Sequence, residues 1–147
     1  FFFFFFSSRR RPTMFTSDWS SDGALPIFGD FVELERLARF TAVHAVLSHL
    51  DSFLLRGHNY YLYLPKASGR FVFLPWDLNS TFASHRSAGS PEQQFDLSVN
   101  QPFAKGQRLL ERLMKLKPFR ELYKDELKKL MGTHFAKEAI ARDRLLN

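Results

Sequence analysis

The sequence predicts an α+β fold, mainly helical, with one antiparallel two-stranded hairpin set between helices. Three observations predict it. Apolar residues recur at helical spacing over about residues 31–50. Two short runs rich in Tyr, Phe and Val, about residues 59–64 and 70–74, flank a turn bracketed by Pro65 and Gly69. From about residue 107 onward the helical period returns. A chain of 147 residues has room for one modest domain.

The first 28 residues, FFFFFFSSRRRPTMFTSDWSSDGALPIF, stand apart. Six consecutive Phe have neither helical nor strand periodicity. A signal peptide places its basic residues before the apolar run, whereas Arg9, Arg10 and Arg11 follow it. The segment resembles translated sequencing-adapter read-through in assembled metagenomic data. Residues 1–29 are therefore set aside as an artefactual or disordered segment, the foreign part running from Phe1 to about Ala24. The competing reading is a short exported or membrane-associating arm. The folding unit is then residues 30–147.

Asp30 is a candidate N-cap, and Glu33 three residues on completes a capping-box pattern. Phe31, Leu34, Leu37, Ala38, Phe40, Val43, Val46, Leu47 and Leu50 form the core stripe of a helix over about 31–50. The two strands follow. A lone hairpin is marginal in water, so this one has to pack on that helix. Residues 83–106 are rich in Ser, Gly, Gln and Pro and read as a long loop anchored by Phe95, Leu97, Val99 and Phe103. Three helices close the chain, about 107–116, 118–131 and 135–146. Pro118 suits a first turn, and Phe119, Leu122, Tyr123, Leu127, Leu130 and Met131 make one stripe. The last helix reaches Asn147 without a cap, which reads as a domain cut at both ends.

The formal charge of +6 is uneven. Residues 101–147 hold twelve basic and six acidic groups, whereas residues 30–100 are nearly balanced. Interleaved signs on helices describe a solvated face before they describe a nucleic-acid surface. Cysteine is absent, which excludes disulfides and thiolate metal sites. No apolar run approaches the roughly 20 residues that span a bilayer.

The chemistry-bearing residues cluster around the hairpin. Asp51 follows the first helix, His58-Asn59 opens the first strand, and Pro75-Trp76-Asp77-Leu78-Asn79 ends the second. Asp51, Asn59 and Asp77 thus bring three oxygen-bearing side chains to the hairpin ends. Hard cations bound beside nucleotide phosphates want such donors. Each residue also has a plain structural reading: Asp51 as a helix-terminal carboxylate bonded to a turn, Asn59 as a cap where a strand begins, and Asp77 as a turn former.

The stretch LDSFLLRGHNYYLYLPKASGRFVFLPWDLNSTF resembles the CotH family of atypical protein kinases, named for a spore-coat protein. The resemblance extends more weakly to FDLSVNQPF and LLERLMKLKPFRELY, covering most of residues 30–147. It implies a mainly helical kinase-like C-lobe fragment using ATP and Mg to phosphorylate Ser or Thr of a coat or surface protein. It also implies an extracytoplasmic, cell-surface or spore-coat location. Asp51 matches the catalytic carboxylate, which orients or deprotonates the attacking hydroxyl. Asn59 and Asp77 match the metal-binding amide and the metal-bridging carboxylate that serve the nucleotide.

Asn79 departs from the pattern, which usually has a second Asp there. Asn keeps an oxygen donor and loses a charge. If the position binds metal directly, affinity falls; if it only supports a ligand by a hydrogen bond, Asn suffices. His58 reads as a structural His beside a strand, with phosphate or substrate contact the lesser option. His44 and His49 are five apart, off the i, i+4 spacing of a helical zinc pair, and receive no metal. Tyr60, Tyr61 and Tyr63 read as core and sheet-face residues. The Lys and Glu that cradle a nucleotide in a kinase have no counterpart in the anomalous N-terminal segment, so the fragment alone is expected to be inactive. Two readings compete with the kinase: a non-catalytic CotH-like assembly protein, which Asn79 favours, and an unrelated basic helical module on nucleic acid. The resemblance implies no nucleic-acid partner.

Overall fold

The computed structural model describes residues 24–85, 88–96 and 98–137. Helices α1 (Ala24–Phe31) and α2 (Leu34–Val46) lead into strands β1 (Tyr60–Tyr63) and β2 (Val72–Pro75). A 3-10 turn (Leu78–Ser80) and helices α3 (Pro91–Phe95), α4 (Arg108–Leu113) and α5 (Lys117–Gly132) follow. The fold is α+β, mostly helical, with one two-stranded antiparallel sheet. Residues 1–23, Leu97 and most of the third C-terminal helix expected from the sequence lie outside the described residues. Among the described residues no helix is long and apolar enough to cross a membrane.

The single helix expected over 31–50 is broken. Asp30 lies inside α1 rather than capping α2, and Glu33, the residue before α2, makes no side-chain cap bond. The break exists because the backbone there pairs with the hairpin. Phe71 N–H donates to Phe31 O at 2.7 Å, and Glu33 N–H donates to Phe71 O at 3.0 Å. Glu33 also meets Arg70 at 3.3 Å. Helical residues cannot offer those groups sideways, so the helix yields for two residues.

The hairpin pairs Tyr60 with Pro75 and Leu62 with Phe73, close to the strand limits read from sequence. It packs on α2 as it must. Phe73 lies 5.7 Å from Phe40 and 5.1 Å from Phe53, and Tyr60 stacks on Phe73 at 5.4 Å, ring centre to ring centre. This aromatic wedge joins Leu37, Leu110, Leu113, Phe119 and Tyr123 in one core. Met131, assigned to the α5 stripe from sequence, is exposed instead; Phe119 and Tyr123 already fill the α2 face one helical turn apart. The long loop contains a helix that composition did not reveal. Ser90 and Gln93 cap α3 reciprocally, and of the expected anchors Phe95 and Val99 are exposed while Phe103 packs on the core.

Three of the C-terminal lysines pair within α5, as Lys124–Glu121, Lys128–Asp125 and Lys129–Glu126. One pair crosses the core edge: Arg39 Nε donates to Glu126 Oε2 at 2.8 Å, tying α2 to α5. The Arg39 hydrogen bond holds the Glu126 carboxyl below the usual carboxylate range. Stability from a depressed carboxylate is present above the unfolded value and is lost as pH falls through the folded one. Because Arg39 is half exposed, Arg39→Ala is expected to cost about 1 kcal/mol near neutral pH. Thermal melts of variant and wild type should converge in acid; a gap that persists there would show that packing, not the ion pair, was lost.

Candidate active site

Four segments meet at the mouth of the hairpin. After α2 the chain turns at Ser48, which has φ 46°, and delivers His49 inward and Asp51 to the rim. Asn59 precedes β1 at φ 58°, and Asp77 follows β2 at φ 50°. Phe82 and Ala83 then adopt φ 54° and 58° in succession. Asn and Asp tolerate the left-handed region, whereas Ser, Phe and Ala do so at a cost of order 1–3 kcal/mol each. Every non-glycine residue with positive φ among the described residues lies in these segments. Such strain marks a place where backbone geometry is held by its surroundings.

Asp51 and Asn59 form one unit. Asn59 Nδ2 donates to the Asp51 carbonyl at 2.6 Å and to Asp51 Oδ2 at 3.2 Å. Two acceptors on one side fix which way the amide points. Its Oδ1 therefore faces away from Asp51. The other carboxylate oxygen, Asp51 Oδ1, meets His58 Nε2 at 3.3 Å, His85 Nε2 at 3.5 Å and Arg56 Nε at 3.8 Å. Asp51 is thus neither a lone turn carboxylate nor buried.

Asp77 is coupled to this unit through the backbone. Trp76 N–H donates to Asn59 O at 3.1 Å, which fixes the start of β1 against the end of β2. Trp76 itself is half exposed and meets Tyr61 edge-on at 5.0 Å. The Asp77 side chain is exposed, and so is Asn79, whose Oδ1 accepts a hydrogen bond from Ser80 Oγ at 3.0 Å. Asp51 and Asn59 touch; Asp77 follows the residue bonded to Asn59 O, and Asn79 Oδ1 is bonded within its own loop. Among the described residues no three His, Cys, Asp or Glu side chains converge as a metal-ligand group.

Two histidines that sequence reasoning did not place at the site lie against it. His49 is fully buried beneath the rim, against the Asp77 backbone and within electrostatic reach of Asp51, Asp77 and His58. Burial pushes its pKa down, and the Asp77 backbone and the two carboxylates partly offset that. His44 stacks on it at 5.0 Å, which explains a spacing of five: the second ring comes from the turn after α2, not from the same helical face. His85 comes from the loop after β2, 34 residues beyond Asp51, and no local pattern announces it.

Comparison with known proteins gives a family. A family model described as CotH kinase protein matches residues 25–143. Neither the curated proteins nor the solved structures offered a match. The match takes in α1, both strands and the whole rim, and on that extent the chain belongs to the CotH kinase protein family.

Proposed function

We propose that this chain carries the base and metal side of a CotH-family protein kinase, which transfers the ATP γ-phosphate to Ser or Thr of a coat or cell-surface protein. The observation that carries the reading is the Asp51–Asn59 unit. A kinase catalytic loop needs a carboxylate for the acceptor hydroxyl and an amide oxygen for magnesium. Here one side chain is tied to the other by its nitrogen, which leaves the amide oxygen outward.

The donor set suits magnesium. Asn59 Oδ1 and the exposed Asp77 carboxylate are hard oxygens, and Mg²⁺ takes only one or two carboxylates beside water and phosphate. Bound there, the ion would neutralise charge on the phosphates. Asn59 would hold its oxygen still through Asp51, and Asp77 would be oriented by its left-handed backbone and the Trp76–Asn59 hydrogen bond. Asp51 would accept the hydroxyl proton. Asn79, its oxygen occupied by Ser80, supports a ligand at most.

Asn79, standing where the family usually has a second Asp, favours a second reading, a non-catalytic assembly protein of a cell surface or spore coat. Calorimetric titration of the native full-length protein with a non-hydrolysable ATP analogue separates the two. In the kinase reading, binding depends on magnesium and Asp77→Ala weakens it at least about tenfold. Binding indifferent to magnesium, or absent, leaves the assembly role.

A further inference from the structure

We propose that Gln94 and His85 form a positioning clamp for Asp51, one that depends on the reading of Asp51 as the base. The clamp begins where the chain leaves the 3-10 turn. Phe82 N–H donates to Leu47 O at 2.7 Å, which pulls the loop back over the end of α2, and Ala83 is buried there. His85 follows, and its backbone is gripped at both polar groups by one side chain. His85 N–H donates to Gln94 Oε1 at 3.1 Å, and Gln94 Nε2 donates to His85 O at 3.0 Å and to Gly89 O at 2.9 Å.

A Gln that is only 2 % exposed on a five-residue helix is costly to bury unless its amide is satisfied, and here both of its ends are. Its helix is closed at the start by the Ser90–Gln93 box, which sets where Gln94 stands. Fixing both backbone groups of His85 fixes the direction of its Cα–Cβ bond. The ring then rests with Nε2 3.5 Å from Asp51 Oδ1. Asn59 holds the opposite oxygen, Oδ2. With Asn59 bonded to one oxygen and His85 facing the other beside His58 and Arg56, the carboxylate is restrained about its last torsion from different segments. Reactive groups need that restraint, since a misplacement of about 1 Å can cost on the order of a hundredfold in rate. His85 and Gln94 therefore act through Asp51 and do not touch the reacting atoms.

Two measurements test the clamp. In the active protein, His85→Ala and Gln94→Ala should each lower kcat about tenfold or more with KM for ATP and acceptor unchanged within about twofold. The double variant should be no worse than either, and His85→Gln, which can offer an N–H near the Nε2 position, should recover most of the rate. Unchanged kcat, or a loss in KM alone, overturns the clamp. In the 147-residue chain, the His85 imidazole ¹⁵N resonances should move on Asp51→Asn and again on Gln94→Ala. Resonances that stay put overturn the clamp whatever the kinetics. If they move while Asp51→Asn keeps full kcat, the contact stands and the base reading of Asp51 is what fails.

Discussion

With Asp51 as the proposed base, Asp51→Asn is expected to lower kcat by about 10²–10⁴-fold, the range of a positioned general base, and to leave ATP affinity within a few-fold. The substitution is close to isosteric. The Asn59 amide keeps the Asp51 carbonyl as acceptor, a bond to the backbone, and can still find a side-chain oxygen where Oδ2 stood. What disappears is the charge and the capacity to accept a proton. His58, His85 and Arg56, which all face Oδ1, lose their shared anion. A thermal melt within a few degrees of wild type would show that the rate loss is chemical. A kcat within threefold of wild type would remove Asp51 from the base role. A parallel collapse of magnesium-dependent ATP binding would instead make it part of the metal site.

The adjacency of Asp51 and Asn59 was legible because it is local. The seven residues between them form a tight turn in which the Ser52 carbonyl accepts from Leu55, Arg56 and Gly57. The hairpin and α5 were legible for the same reason: strand and helix periods are written within a few residues, and Pro65, Gly69 and Pro118 punctuate them. The break at Val32 and Glu33 was not legible, since its cause is the backbone of Phe71, almost forty residues away. His85 and Gln94 were hidden likewise, each reading as an ordinary polar loop residue until a distant segment is laid beside it. The α3 cap was different. Ser90, Pro91 and Gln93 spell a helix start in the sequence, and the loop-like composition around them masked it. Phe95 and Val99 were taken as anchors because they are apolar. The loop is instead held by polar bonds, those of Gln94 and that of Tyr123 Oη to Val99 O at 2.6 Å.

The fold is expected to lose about 3 kcal/mol as pH falls from the ordinary histidine range toward 4, from His44 alone. This side chain is 1 % exposed, packs 4.1 Å from the Phe40 ring and stacks on His49. Its Nδ1 lies 2.8 Å from the Phe40 carbonyl, which fixes the neutral tautomer with the proton on Nδ1. Nε2 has no partner, so a second proton would be buried without an acceptor. Burial therefore pushes the pKa down to about 4, against the Phe40 carbonyl, which favours the cation, and with His49, which opposes it. The unfolded chain takes up the proton first, near the ordinary value of about 6.5. Between the two values it binds more protons than the folded chain, so stability falls with pH across that window and levels off below it. His49, shifted in the same direction by burial, adds to the slope. His44→Leu removes the group while the Phe40 carbonyl stays within α2. Urea unfolding of both proteins across this window should show the wild type losing stability more steeply than the variant. Parallel slopes would mean that His44 takes up its proton in the folded state at little cost, through a partner or a water at Nε2.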